Sequence, residues 1–374
     1  MEKKKKILIV NTVGLNWNGI STIMYDYYSR FNTDRFEMHT VSELGNDQKM
    51  IKKFTETGII VHQIPSRKKN TVRYFWSLLR LIKTYRFKVV HINGNSATIS
   101  IELFASLLAG CKIRIAHSHN STCEAKKVDK LLRPFFHCLY THAFACGDAA
   151  GKWLFGKNGY EIIKNGRDID IYRFQKEKRQ STRNALKITG DILAIGHIGN
   201  FNEQKNHEFL INIFNALYET NNNSRLFLAG YGHCEGNIRE LVHRLHLDNA
   251  VIFLGVIDNV PDILQAMDVM VLPSLYEGLP LVVVEWQISD LPCLISDAIT
   301  KECSYSDLVK FQSLKDSYTE WAKAIMNLSK HERGKDSDDI LYLTGKSGYD
   351  IDKNVEYLQE KIDNEVRRFY RAYL

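Results

Sequence analysis

No two of the seven cysteines stand in a C-x-x-C pair, and their odd number suits scattered thiols rather than a disulfide framework. No apolar run approaches the ~18 residues that span a bilayer. The opening MEKKKKILIV is basic, but no signal-peptide apolar region follows it, so the expected chain is soluble and cytoplasmic. The first glycine-bearing loop, NTVGLNWNGIST, is not a G-x-G-x-x-G fingerprint, which leaves a nicotinamide dehydrogenase without its usual signal. Short solenoid-type repeats and low-complexity tracts are absent too.

What is present is an alternation of short β-branched runs and longer helical stretches, and it occurs twice. KILIVNTV, FEMHTVSE, IIVHQIPS, KVVHINGN, KIRIAHSHN, AFACG and EIIKNG mark strands in the first half. ILAIGHIGN, SRLFLAG, AVIFLG, VMVLPS and PCLISD mark them in the second. Such alternation predicts parallel sheets covered on both faces, and 374 residues are about two domains' worth. The expected fold class is α/β, with two doubly wound Rossmann-like domains facing each other across a cleft. The polar stretch at 174–190 is taken as the seam. This yields a first domain over 1–176, a second over 177–350, and a C-terminal helix over 351–374 that packs back toward the first.

Charge divides along the same line. The first 176 residues carry 29 basic and 14 acidic side chains, the remainder 21 and 29. A basic half suggests an anionic partner. Nucleic acid is not expected, because no recognised binding module accompanies the charge.

In doubly wound sheets ligands bind beyond the carboxyl ends of the strands, so residues just after strands carry the functional argument. Lys205, in GNFNEQKNHEF, precedes a helix and can share an anion with that helix's N-terminus. His119 ends the fifth strand and His117 lies two residues earlier on the same face, with Cys123 nearby. That trio lacks the spacing of a metal site, and no metal is assigned. Glu277 and Glu285 bracket GLPLVVV, one in a post-strand loop and one on the next helix. Two carboxylates so placed suit a ligand rich in hydroxyl donors.

On these residues the chain resembles the retaining glycosyltransferases of the GT-B fold, in the large family 4-like group with an E-x7-E motif, which Glu277 and Glu285 match. NGRDIDIYRF at 165–174 is similar to the family's Asn-Gly-x-Asp segment, and 250–280 is similar throughout. The closest resemblance is to bacterial members that build capsular and extracellular polysaccharides. It implies a donor that is a nucleoside diphosphate sugar, with a UDP-sugar favoured, and no metal cofactor. Glu285 would accept from the ribose, Glu277 would meet the donor sugar, Lys205 would neutralise the diphosphate, and His119 would lie beside the sugar. Amides at Gly278 and Leu279, the loop at Gly19, and Ile257 beside the base would complete the donor contacts. The family usually has arginine where this chain has Asn200, and two glycines where it has Asn18-Gly19.

The implied reaction moves a sugar to an acceptor hydroxyl with retention. A nucleotide-sugar epimerase and a catalytically weak nucleotide-sugar-binding protein of an assembly complex are the alternatives. The implied acceptor is a glycan, in many relatives linked to a lipid diphosphate. RKKNTVRYFWSLLRLIKTYRFK at 67–88 holds eight basic residues and no acidic one. This predicts mainly electrostatic docking on the inner face of an anionic membrane.

Overall fold

The computed structural model describes residues 4–123 and 126–371. The chain divides into two compact units, one of residues up to Gly166 together with those from Ile351 onward, the other Arg167–Asp350.

In the first unit seven strands form one sheet: β1 (Lys5–Asn11), β2 (Phe36–Glu43), β3 (Ile60–Ile64), β4 (Val89–Gly94), β5 (Ile113–Ser118), β6 (His142–Ala145) and β7 (Glu161–Ile162). Their order is β3-β2-β1-β4-β5-β6-β7 and the neighbours run parallel. β1 is central, with Ile7 opposite Met38 on one side and Val89 on the other. Its run Ile7–Val10 is wholly buried, as a strand covered on both faces requires.

The second unit holds β8 (Leu193–Ile198), β9 (Ser224–Ala229), β10 (Val251–Gly255), β11 (Val269–Leu272), β12 (Cys293–Ser296) and β13 (Val309–Gln312). They too are parallel, in the order β10-β9-β8-β11-β12-β13. Strand order reverses between β1 and β4 in one sheet and between β8 and β11 in the other. At such reversals adjacent crossover connections diverge and leave a crevice at the carboxyl ends.

The boundary differs from the expected seam. Residues 174–190 are mostly the helix Lys176–Ala185, polar because it lies on the surface of the second unit. Its one buried side chain, Arg183, bonds Ala266 O at 3.1 Å and pairs with Asp268 at 3.2 Å. Residues 167–176 belong to the second unit as well: Arg167 N donates to Tyr349 O at 2.8 Å. The helix Ile351–Arg371 returns to the first unit, where Asn354 Nδ2 donates to Tyr27 OH at 3.1 Å and Lys361 pairs with Glu161 at 2.6 Å. The last three residues of the expected C-terminal helix, 372–374, lie outside the described residues.

Candidate active site

The crevice of the second unit is built from two loops. After β8 the chain makes a single 3-10 turn, Glu203–Lys205, capped by the Asn202 side chain, which accepts from Lys205 N at 3.1 Å. Asn206 then takes a left-handed conformation, φ 56°, and its Nδ2 donates to Pro273 O in the loop after β11. Leu275 N donates to Gln204 O at 2.8 Å, and Gln204 Nε2 donates to Tyr276 O at 3.0 Å. The β8 loop is thereby stitched to the β11 loop, and Lys205 meets Glu277 across the reversal point. Lys205 Nζ lies 2.6 Å from Glu277 Oε1, Ser274 Oγ donates to the same oxygen at 2.9 Å, and Gln204 Nε2 reaches Oε2 at 3.1 Å. The two charged side chains are 15% and 10% exposed, so the pair is largely desolvated.

Two histidines floor this crevice. His197 on β8 donates from Nδ1 to Val271 O at 2.8 Å, and its ring centroid is 4.6 Å from that of His207, which stacks on Phe201 at 4.2 Å. Burial holds His197 well below the ordinary histidine range, and the neighbouring His207 and Lys205 lower it further. Burial, then Lys205, brings His207 down to about 4. Both rings are therefore neutral near pH 7. Alongside, Gly230 has φ 142°, and a Cβ there would lie 2.0 Å from Gly199 O. Only glycine permits the β9 loop to run this close to the β8 loop.

Glu285, on the helix Leu281–Ile288, is 6% exposed, and its Oε1 accepts from Arg167 Nε at 2.6 Å. Glu277 stays in the loop at the crevice, whereas Glu285 enters the buried face of its helix. Each is largely buried and satisfied by a cation. Gly278 and Leu279 lie in the loop between them, with Gly278 exposed and Leu279 half-buried. Asn200 is exposed just beyond β8, and Ile257 is half-buried just beyond β10. The carboxylates of the Asp-Ile-Asp run have structural partners: Asp168 caps the helix Ile169–Tyr172 by accepting from Ile171 N at 3.0 Å, and Asp170 pairs with Arg173 at 3.5 Å. Among the described residues one group could hold a metal ion, the surface trio Glu203, His233 and Cys234.

The first unit carries a different cluster at the ends of β4 and β5. His91 Nδ1 is 2.7 Å from Tyr28 OH, and His91 Nε2 is 3.1 Å from His117 Nδ1. The rings of His117 and His119 are 4.2 Å apart. His119 Nε2 lies 2.8 Å from Asn93 Oδ1, so the ring must donate there and Nδ1 is left as an acceptor. Burial lowers His119 to about 4, partly opposed by Asn165, and lowers His91 to about 3. His119 is thus a neutral imidazole. Gly19 opens the helix Gly19–Tyr28, whose N-cap Asn18 accepts from Ser21 N at 3.0 Å.

Lys205 and Glu277 are brought together, whereas Glu285 pairs with Arg167, and His119 and Gly19 belong to the other unit. Sequence reasoning missed Gln204, Ser274, Arg167, Asn93, His197 and His207. Arg167 stands inside the quoted NGRD segment, and Gln204 beside Lys205, so position alone could have raised both.

Two parallel-sheet Rossmann-like units, one of them with a lysine–carboxylate pair at its reversal point, are the architecture of GT-B glycosyltransferases. The profile of the family described as Glycosyl transferases group 1 matches residues 192–331. The chain is 31% identical to EpsF of Bacillus subtilis (strain 168) over 366 residues, 94% of each chain. It is 26% identical over 241 residues, 61% of this chain and 62% of the other, to the Escherichia coli UDP-Gal:alpha-D-GlcNAc-diphosphoundecaprenol alpha-1,3-galactosyltransferase. Among solved structures, Anabaena HepE in complex with UDP superposes with a TM-score of 0.77 at 16% identity, over 96% of this chain and 100% of that one. WaaG, from lipopolysaccharide biosynthesis, does so with 0.62 at 12%, over 95% of each. The chain belongs to the group 1 glycosyltransferases, and it is a transferase; the epimerase and binding-protein alternatives are not favoured. No described helix is long and apolar enough to cross a membrane.

Proposed function

We propose that this enzyme transfers a sugar from a UDP-sugar to an acceptor hydroxyl with retention of anomeric configuration, in assembly of a bacterial capsular or extracellular polysaccharide. The observation that carries the proposal is the Lys205–Glu277 pair, held by Gln204 and Ser274 at the carboxyl-end crevice of the second sheet. A desolvated ammonium beside the N-terminus of the helix His207–Thr220 suits the charge that develops on a departing diphosphate. Glu277, at the same point, can accept from sugar hydroxyls, as can Glu285 from a ribose. The Arg167 contact fixes the Glu285 carboxylate's orientation. His119, neutral and with Nδ1 as acceptor, suits a sugar hydroxyl rather than an anion.

Support for the donor comes from Anabaena HepE, solved with UDP and with UDP-glucose, and from the Escherichia coli relative named for UDP-Gal. That relative's name also includes a diphosphoundecaprenol, which supports a glycan acceptor linked to a lipid diphosphate as part of the same proposal. In the front-side reading the anomeric C–O bond to the diphosphate breaks and the acceptor oxygen bonds the same face. The acceptor proton passes to a phosphate oxygen of the leaving group. No metal is required, since Lys205 supplies the charge. The test is a panel of nucleotide-sugars in a thermal-shift assay, followed by transfer with the donor that binds and NMR of the product. An α-linked product from an α-linked donor is expected; a β-linked product overturns retention, and no stabilisation by any UDP-sugar overturns the donor.

A further inference from the structure

The 3-10 turn that carries Lys205 opens with Glu203, and the loop after β9 brings His233 and Cys234 against it. Backbone bonds fix this juxtaposition. Phe201 N donates to Tyr231 O at 2.9 Å, and Cys234 N donates to Phe201 O at 3.1 Å. A Cβ on Gly232 would lie 2.2 Å from Phe201 O, so the two loops cross in direct backbone contact. Three side chains from distant parts of the sequence are thus presented by loops already fastened to each other. The donor-site reading uses none of the three.

His233 Nε2 lies 3.0 and 3.1 Å from the two carboxylate oxygens of Glu203. The Cys234 thiol hydrogen-bonds the same carboxylate, and one ligand atom from each residue lies within 4.8 Å of the other two. An imidazole, a thiol and a carboxylate together suit a borderline divalent transition metal, above all Zn2+. Calcium and magnesium take oxygen ligands and have no use for the sulfur. Ligand atoms about 2.0–2.3 Å from zinc at tetrahedral angles stand roughly 3.3–3.8 Å apart. The histidine and the carboxylate are already nearly at that spacing, and rotation of the Cys234 side chain closes the third side. The Glu203 and His233 side chains are 76% and 69% exposed, so an ion enters directly from solvent. An exposed ion pair contributes little by itself and needs no thiol beside it. The convergence of three different ligand types distinguishes this trio among the described residues.

We propose that Glu203, His233 and Cys234 bind one Zn2+ ion, with water in the fourth position, and that the ion ties the turn carrying Lys205 to the loop after β9. The ion takes no part in sugar transfer, for which Lys205 supplies the charge. Its role is to brace the two loops, so occupancy stabilises the second unit by mass action. Zinc binding is measured with no nucleotide present, so its failure and a failure of the donor reading are distinguishable.

The experiment titrates the full chain, stripped of metal and kept reduced, with Zn2+ in a calorimeter. One ion per chain and a raised melting temperature are expected. Glu203→Ala, His233→Ala and Cys234→Ala should each weaken binding about tenfold or more, since loss of even an outer-shell partner costs about 10–100-fold. Unchanged circular dichroism of the metal-free variants shows that they fold. Cys138→Ser, at an exposed thiol outside the trio, should leave the titration unaltered. Co2+ in place of Zn2+ should give a thiolate-to-cobalt charge-transfer band that Cys234→Ala abolishes. Absence of Zn2+ binding, affinity retained in all three alanine variants, or a cobalt spectrum without the thiolate band overturns the proposal. So does binding of Mg2+ or Ca2+ as tight as that of Zn2+, which would assign the site to the carboxylate alone.

Discussion

Replacing Lys205 by methionine keeps the stem of the side chain and removes its charge from a site where only 10% of the Glu277 side chain is exposed. At an effective dielectric of ~20, unit charges about 4 Å apart attract by about 4 kcal/mol. Desolvation of both groups cancels part of this, so a net coupling of about 2–3 kcal/mol is expected. Lys205→Met should then cost about 2–4 kcal/mol, because Glu277 retains its buried charge with only the Ser274 and Gln204 donors. Adding Glu277→Gln removes that stranded charge and should recover much of the loss. Urea denaturation of the wild type, both single variants and the double variant measures the coupling, with the buried Trp286 and Trp321 of the second unit as probes. Ligand binding separates the functional role from the structural one. Stabilisation by UDP-sugar should vanish in the double variant even where folding stability has returned. A coupling below about 0.5 kcal/mol would show that the pair is not desolvated as the structure has it. Wild-type stabilisation of the double variant by UDP-sugar would refute the assignment of Lys205 and Glu277 to the donor.

Three further outcomes are expected. Folded-state values of about 3 for His91 and about 4 for His119 and His207 lie below the ordinary 6.5, so the unfolded chain binds more protons as pH falls. Stability should be complete above about pH 6.5 and decline toward pH 4, by up to about 3 kcal/mol per histidine; a urea midpoint that is flat across this window would contradict their burial as neutral rings. Gly230→Ala places a Cβ 2.0 Å from Gly199 O at φ 142° and should cost about 3 kcal/mol or more, visible in the melting of the second unit. A melting temperature within about a degree of wild type would show that the loops separate freely. Turnover should persist in EDTA, and complete loss reversed by a divalent cation would overturn the metal-independent reading.

The residue pattern alone conveyed both sheets, because central strands covered on two faces must be continuous apolar runs such as Ile7–Val10 and Val269–Leu272. It also marked Lys205 and Glu277, since a polar residue just after such a run has little reason to be in the core. It did not show β13, whose four residues include the exposed Lys310, nor the helix Lys126–Leu139, interrupted by Pro134. The polar helix Lys176–Ala185 was read as a seam because polarity reports exposure and does not distinguish a linker from a surface helix. Pairings were beyond the reach of pattern. Lys205 meets Glu277 across 72 residues and Arg167 meets Glu285 across 118. Hydrophobic periodicity records which face of an element is buried, whereas the partner of a buried charge is set by how distant elements pack. For the same reason, only the tertiary structure turned Arg67 inward onto Glu102 and left Trp76 and Phe135 on an open groove.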